Sequence, residues 1–295
     1  MKQIGIIGMG NMGMAMVEKY LEAGYQVLVY DINMEAVKKA ITIGAIGEKA
    51  PKHVSEKAGL VLIILPGPAQ VKDVLTSKNG IFAGYSSGDC IVDMSTVDPF
   101  STQKNAEKAK ERGFDYLDAP VLGRPHGCGN WTLPIGGEKK VLARIKEDLD
   151  VIAKNIVYIG SSGSGNVLKL LNNMMFGAIN TVTSEIMAIS AKLGLNPKVL
   201  FETIAGSGAA TVSNLFLELG PKILERNFEP KFSVELLHKD MALGIEMAKK
   251  AAAPLFISEV NQKVNEIALF KGLGSEDSSS IVKVYEDLSG VKVDI

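Results

Sequence analysis

Lys169 and Asn173 lie four residues apart in a stretch without proline, so a helix there places both side chains on one face, one turn from each other. Val167, Leu168, Leu170, Leu171, Met174, Met175 and Phe176 surround the lysine with apolar side chains. Withdrawing an ammonium from water lowers its pKa, which suits it to give and take a proton near neutral pH. The same residues also describe a lysine whose stem packs while its charge reaches water, and local pattern does not choose between the two.

A second constellation opens the chain. Lys2-Gln-Ile-Gly-Ile-Ile runs as an apolar strand into Gly8-Met9-Gly10-Asn11-Met12-Gly13, and Val27-Leu-Val-Tyr-Asp31 follows. Gly8 permits a tight turn, Gly10 lets backbone approach a pyrophosphate, and Gly13 lets the next helix pack against the strand. The positive end of that helix then faces the phosphates. Asp31 closes the second apolar run, where a carboxylate accepts hydrogen bonds from both adenosine ribose hydroxyls and repels a 2′-phosphate. Strand, turn, helix, second strand and terminal acid in register predict a dinucleotide site that favours NAD over NADP.

These residues need elements to hold them. Apolar runs rich in Ile and Val at 3–7, 26–30, 60–65, 90–93, 115–117, 132–136 and 156–159 alternate with helical segments at 11–23, 33–42, 68–76, 99–112 and 138–150. Strands separated by helices predict a largely parallel sheet covered on both faces, a Rossmann-type doubly wound α/β domain. Asp98-Pro99 reads as a helix start and Gly113 as its stop. Beyond Gly160-Ser-Ser-Gly-Ser-Gly165 the strand signal ends. A long helix from about 166 to 193, apolar around most of its circumference, is expected to be buried, and helices follow near 197–205, 209–225, 233–251, 254–271 and 278–288. Gly244 weakens the fourth segment of this series. The expected domains are 1–164, which binds NAD, and 165–295, all helical, with Lys169 near the cleft between them.

Composition removes several classes of function. With 295 residues, 46% hydrophobic and 22% charged, the chain has enough apolar material for two packed domains. Its formal net charge is −1 and no basic run tracks a phosphate backbone, which argues against nucleic acid as a partner. The longest apolar run, Leu60 to Leu65, falls far short of the roughly 20 residues that span a bilayer. A strand begins almost at residue 1, so the expected location is cytoplasmic. Cys90 and Cys128 form no CxxC pair, and His53, His126 and His238 lack ligand spacing, so no metal is expected. Cys90, opening an apolar run, reads as a buried small hydrophobe.

The whole chain resembles the β-hydroxyacid dehydrogenase family, which includes 3-hydroxyisobutyrate dehydrogenase and tartronate semialdehyde reductase. The resemblance rests on ordered motifs: Gly8-Met-Gly10-Asn-Met-Gly13-x-x-Met16, Leu65-Pro66, Asp93-Met-Ser95-Thr96, Asp118-Ala-Pro-Val121, Lys169-Leu-Leu-Asn-Asn173 and His238-Lys239-Asp240. It implies Lys169 as general acid in carbonyl reduction and base in the reverse direction, with Asn173 fixing its geometry and holding substrate. It implies Ser95 and Thr96 near nicotinamide and substrate, and Leu65 and Pro66 beside the cofactor. Lys239 and Asp240 would reach the cofactor side of the cleft, with Phe232 as an apolar wall. A homodimer or homotetramer is also implied.

The chain departs from that pattern in one loop. The family's Asp-Ala-Pro-Val-Ser-Gly-Gly reads here Asp118-Ala-Pro-Val-Leu122-Gly123-Arg124, followed by Pro125-His126 and Trp131. Leu122, Gly123 and Arg124 would therefore line a substrate site in which an arginine recognises an acid group bidentately. That favours a small hydroxy acid or semialdehyde with a strong or second anionic group. A sulfonate is one such group, because sulfolactaldehyde reductases resemble this loop, with their arginine one position away. Arg124 also reads as a surface salt-bridge residue, and His126 and Trp131 either line the pocket or simply pack. Competing readings are an imine reductase, which usually lacks the lysine, a longer decarboxylating sugar-acid dehydrogenase, and a nucleotide-sensing module without turnover.

Overall fold

Alternation of side chains along short strands organises residues 1–169. The structure, a computed structural model, describes residues 2–84 and 89–294. Two compact units divide the chain, Met1–Lys169 and Leu170–Ile295. In the first, β1 (Gln3–Ile7), β2 (Gln26–Tyr30), β3 (Ile46–Gly47), β4 (Leu60–Ile63), β5 (Cys90–Asp93), β6 (Asp115–Asp118), β7 (Trp131–Gly136) and β8 (Ala153–Gly160) form one sheet in the order β3-β2-β1-β4-β5-β6-β7-β8. All neighbours pair in parallel except β6 and β7, which are antiparallel with Asp118 opposite Gly136. Ile4, Ile6, Leu60, Leu62, Cys90 and Val92 enter one core, while Ile7, Val61, Ile63 and Ile91 enter another. This is the period of two expected where both sheet faces are covered.

The helices of this unit are α1 (Asn11–Glu22), α2 (Met34–Thr42), α3 (Pro51–Ser55), α4 (Pro68–Thr76), α5 (Pro99–Glu111) and α6 (Lys139–Leu149). The start expected at Asp98-Pro99 is present: the Asp98 carboxylate accepts Ser101 N–H at 2.9 Å, a cap worth about 1 kcal/mol. Gly113 beyond the helix has φ +82°. Sequence pattern does not anticipate β3 or α3. Both are too short to display a period, and α3 exists by packing: a Cβ on Gly5 of β1 would lie 2.4 Å from Val54 Cγ1.

The second unit is helical. α7 (Ser164–Lys192) begins in the first unit and continues into the second, where α8 (Pro197–Ala205), α9 (Asn214–Leu224), α10 (Val234–Lys250), α11 (Ile257–Phe270) and α12 (Val282–Ser289) follow. α9 starts later than the expected 209 because Ser213 caps it, accepting Phe216 N–H. The expectation of a long buried α7 is corrected: Leu171, Met175, Val182 and Ile189 are 51%, 67%, 49% and 51% exposed. An apolar circumference cannot face the core on every side, and the buried flank instead carries Asn173, Asn180 and Ser184. α10 runs unbroken through Gly244 because the glycine is a contact point. A Cβ there would lie 2.8 Å from Met174 Sδ, and one on Gly177 would lie 2.7 Å from Met241 Sδ. Each helix thus offers a glycine notch to a methionine of the other, which lets α7 and α10 pack closely.

Candidate active site

The turn after β1 is shaped by forbidden space. Gly8 has φ +104°, and a Cβ would lie 2.1 Å from Ile64 O; on Gly13 it would lie 1.8 Å from Gly8 O. A Cβ on Gly10 meets nothing within 4 Å, so this exposed glycine faces open room. Gly10 is also the N-cap of α1 and supplies no side-chain cap, leaving first-turn N–H groups for a ligand. Met9 is buried, Asn11 exposed and Met12 half-buried. Asp31 binds the same turn, accepting Met9 N–H at 2.6 Å and Asn33 N–H at 2.7 Å. Each bond uses one lone pair per oxygen, so a carboxylate keeps acceptor capacity for ribose hydroxyls. The turn thus offers free N–H groups that could take a pyrophosphate, and Asp31 keeps acceptor capacity that could take ribose hydroxyls.

The loops beyond β4 and β5 are stitched to one another. Ser95 is 1% exposed; its N–H donates to Asp93 at 2.9 Å and its hydroxyl accepts Leu65 N–H at 2.9 Å. Ser95 therefore holds the Leu65-Pro66 loop, while Thr96 beside it is half-buried and Pro66 exposed. Burial pushes the Asp93 acid up to about 6, against the bonds from Ser95 and Tyr116 that favour its charge. Cys90 and Cys128 are buried, and burial raises both thiols to about 12, so neither is a thiolate at neutral pH.

Lys169 stands in the second turn of α7, half-buried, and its ammonium donates to Val121 O at 2.7 Å. This joins the lysine to the end of Asp118-Ala-Pro-Val121, a long-range acceptor with no signal in the local pattern. Of its expected apolar surroundings, Leu170 is fully buried, whereas Leu171 and Met175 lie on the exposed flank.

The loop after Val121 is closed at its base. Leu122 and Thr132 exchange backbone hydrogen bonds at 3.0 and 3.2 Å, and Trp131 Nε1 donates to Arg124 O at 2.7 Å. Trp131 is 1% exposed and packs, while His126 is exposed. A Cβ on Gly123 would lie 2.4 Å from the Trp131 ring, so glycine is needed there for packing. The half-buried Arg124 thus projects from a backbone fixed by Trp131 and by Gly127 N–H.

In the second unit Asn173, Lys239 and Asp240 come together. Asn173 Nδ2 donates to Asp240 Oδ2 at 2.5 Å, and Lys239 Nζ pairs with Asp240 Oδ1 at 2.8 Å. Asn173 Oδ1 accepts from Asn172 at 3.1 Å. Phe232 packs edge-on against Phe176 with ring centroids 5.3 Å apart. Among the described residues no group of three His, Cys, Asp or Glu side chains could hold a metal, and no helix is long and apolar enough to cross a membrane.

The glycine turn, the acid at the end of β2 and the doubly wound sheet define a nicotinamide-dinucleotide-dependent oxidoreductase. Residues 3–160 match the family described as the NAD binding domain of 6-phosphogluconate dehydrogenase, and residues 163–285 match the one described as NAD-binding of NADP-dependent 3-hydroxyisobutyrate dehydrogenase. The chain is 32% identical to 2-(hydroxymethyl)glutarate dehydrogenase of Eubacterium barkeri, covering 99% of this chain and 97% of that one. It is 31% identical to 2-hydroxy-3-oxopropionate reductase of Escherichia coli, covering 99% of each. A crystal structure of 3-hydroxyisobutyrate dehydrogenase from Salmonella typhimurium superposes with TM-score 0.88 at 26% identity, covering 96% of this chain and all of that one. The chain belongs to the β-hydroxyacid dehydrogenase family.

Proposed function

We propose that this enzyme interconverts a small 3-hydroxy acid bearing a further anionic group and its semialdehyde, with NAD preferred and Lys169 as proton donor and acceptor. The observation that carries this reading is the 2.7 Å bond from Lys169 Nζ to Val121 O, because it anchors the ammonium to the strand end from which the Leu122-Gly123-Arg124 loop departs. When bound, the nicotinamide supplies the hydride chemistry. In carbonyl reduction Lys169 Nζ gives a proton to the oxygen that gains charge, and in oxidation the neutral amine takes it back from the hydroxyl. Val121 O holds one N–H of the ammonium and limits its swing. Asn173, oriented by Asp240, presents its amide one turn along α7. Thr96 borders the reacting atoms, with Ser95 behind it. Gly8 to Gly13, Asp31, Leu65, Pro66, Lys239 and Asp240 serve the cofactor, and residues 1–164 and 165–295 act as its two domains.

Arg124 favours a doubly anionic substrate. The relative named for 2-(hydroxymethyl)glutarate, a dicarboxylic hydroxy acid, supports that class; a sulfonate is the second reading, carried by the same arginine. The test is NADH formation from 2-(hydroxymethyl)glutarate, 3-hydroxyisobutyrate, L-serine and sulfolactate, with NADP+ in parallel. The expected result is fastest turnover of a doubly anionic acid and a lower KM for NAD than for NADP. Absence of turnover in every arm and in the reverse, semialdehyde-reducing direction defeats the enzymatic reading, and tighter binding of NADP defeats the part given to Asp31.

Self-association as a dimer or tetramer is part of the same reading, supported by the exposed apolar stripe of Leu171, Met175, Val182 and Ile189 along α7. Light scattering of the purified enzyme is expected to give two or four times the chain mass of 31.5 kDa, and a monomer at micromolar concentration refutes it.

A further inference from the structure

Asp118 closes β6 and is 0% exposed, and among the described residues its carboxylate is bound by backbone N–H groups rather than by a cation. Oδ1 accepts Gly163 N–H at 2.7 Å and Oδ2 accepts Asn166 N–H at 3.0 Å. These donors lie at the start of α7, where N–H groups lack partners within the helix and where the dipole of a 29-residue helix favours negative charge. The carboxylate has no slack. A Cβ on Gly136 would lie 2.4 Å from Oδ1, and one on Gly165 would lie 2.9 Å from Oδ2 and 2.5 Å from Pro134 O. Two glycines therefore form the slot in which this side chain meets the helix.

Asn166 carries the coupling further. Its Oδ1 accepts Val97 N–H at 3.2 Å and its Nδ2 donates to Thr102 at 3.2 Å, so the first turn of α7 is also registered against the segment next to Thr96. One turn on is Lys169, and three residues beyond Asp118 is Val121, whose carbonyl receives the ammonium. The same short segment thus grips α7 twice, by a carboxylate at its start and by a carbonyl at its lysine.

We infer that Asp118 is a positioning residue of the reaction: by holding Gly163 and Asn166 it fixes the first turns of α7, up to Lys169, and so places Lys169 Nζ on Val121 O. The inference rests on the reading of Lys169 as proton donor. It assigns to the first residue of Asp-Ala-Pro-Val a task separate from that of the loop after it.

The test compares Asp118→Asn with Lys169→Ala and wild type, using 2-(hydroxymethyl)glutarate or whichever acid of the panel turns over fastest. Asparagine keeps the volume but sets an NH2 group against backbone donors. Because misplacement by about 1 Å costs on the order of 100-fold, kcat is expected to fall about 10- to 100-fold, with NADH affinity within about twofold of wild type. The limb of the kcat/KM pH profile that reports the lysine is expected to move as its carbonyl partner loosens. If Asp118→Asn does not yield folded protein, Asp118→Ser, which keeps one acceptor, enters the same comparison. An unchanged kcat and pH profile overturn the inference, as does a parallel loss of turnover and NADH binding, the mark of general destabilisation. Wild-type turnover by Lys169→Ala would instead remove the premise, whereas an inactive Lys169→Ala beside an unaffected Asp118→Asn refutes the positioning role alone.

Discussion

Replacing Lys169 with alanine is expected to lower kcat about 100- to 10,000-fold, the span associated with a positioned proton donor, while leaving NADH affinity near wild type. The split follows from where the lysine sits. Its ammonium is tied to Val121 O beyond β6, with the ends of β4 and β5 lying between it and the Gly8 to Gly13 turn after β1, so its loss removes a proton and a charge without touching the cofactor turn. Lys169→Arg should rescue little, because a guanidinium stays charged at any working pH and spreads its donors in a planar fork. Steady-state NADH absorbance with fluorescence titration of NADH measures both quantities. Equal turnover by Lys169→Ala and wild type would return the lysine to the snorkelling reading.

Replacing Arg124 with alanine is expected to raise KM for the doubly anionic substrate about 10- to 100-fold, with kcat changed little. A hydrogen bond to a charged group contributes about 1.5–3 kcal/mol, and each 1.4 kcal/mol is tenfold in an equilibrium constant. An interaction with an acid group remote from the reacting carbon is present in ground and transition states alike, so it enters KM rather than kcat. Fold disturbance should be small, since the contacts that close the loop, Trp131 Nε1 to Arg124 O and Leu122 to Thr132, use backbone that alanine retains. A singly charged acid should lose less than a doubly charged one. An unaltered KM for both would put Arg124 outside the substrate site.

Much of the scaffold is legible from residue order because it follows local periods. Val27 to Tyr30 and Leu60 to Ile63 announce strands by their type, and Asp98-Pro99 with Gly113 brackets a helix by capping chemistry. Where a segment is too short for a period, as in Ile46–Gly47 and Pro51–Ser55, its conformation comes from neighbours. α7 shows the opposite error. Its apolar residues are real, but burial depends on which flank meets a partner, and Leu171 and Met175 face outward. In the loop, the sequence leaves open whether Trp131 lines a pocket or, as loop aromatics more often do, packs; its burial and its fit over Gly123 make it core.

By itself the sequence determines the groups able to do chemistry and the backbone that tolerates a dinucleotide: three glycines and an acid whose spacing follows from strand, turn and helix geometry. Tertiary structure alone decides that Lys169 meets Val121 O across 48 residues, that Asp118 meets Gly163 N–H across 45, and that Ser95 faces Leu65 N–H rather than open space. The reason is physical. Periodicity and capping are set within a few residues, whereas the acceptor a buried donor finds is set by packing of distant segments, which must satisfy every buried polar group at once.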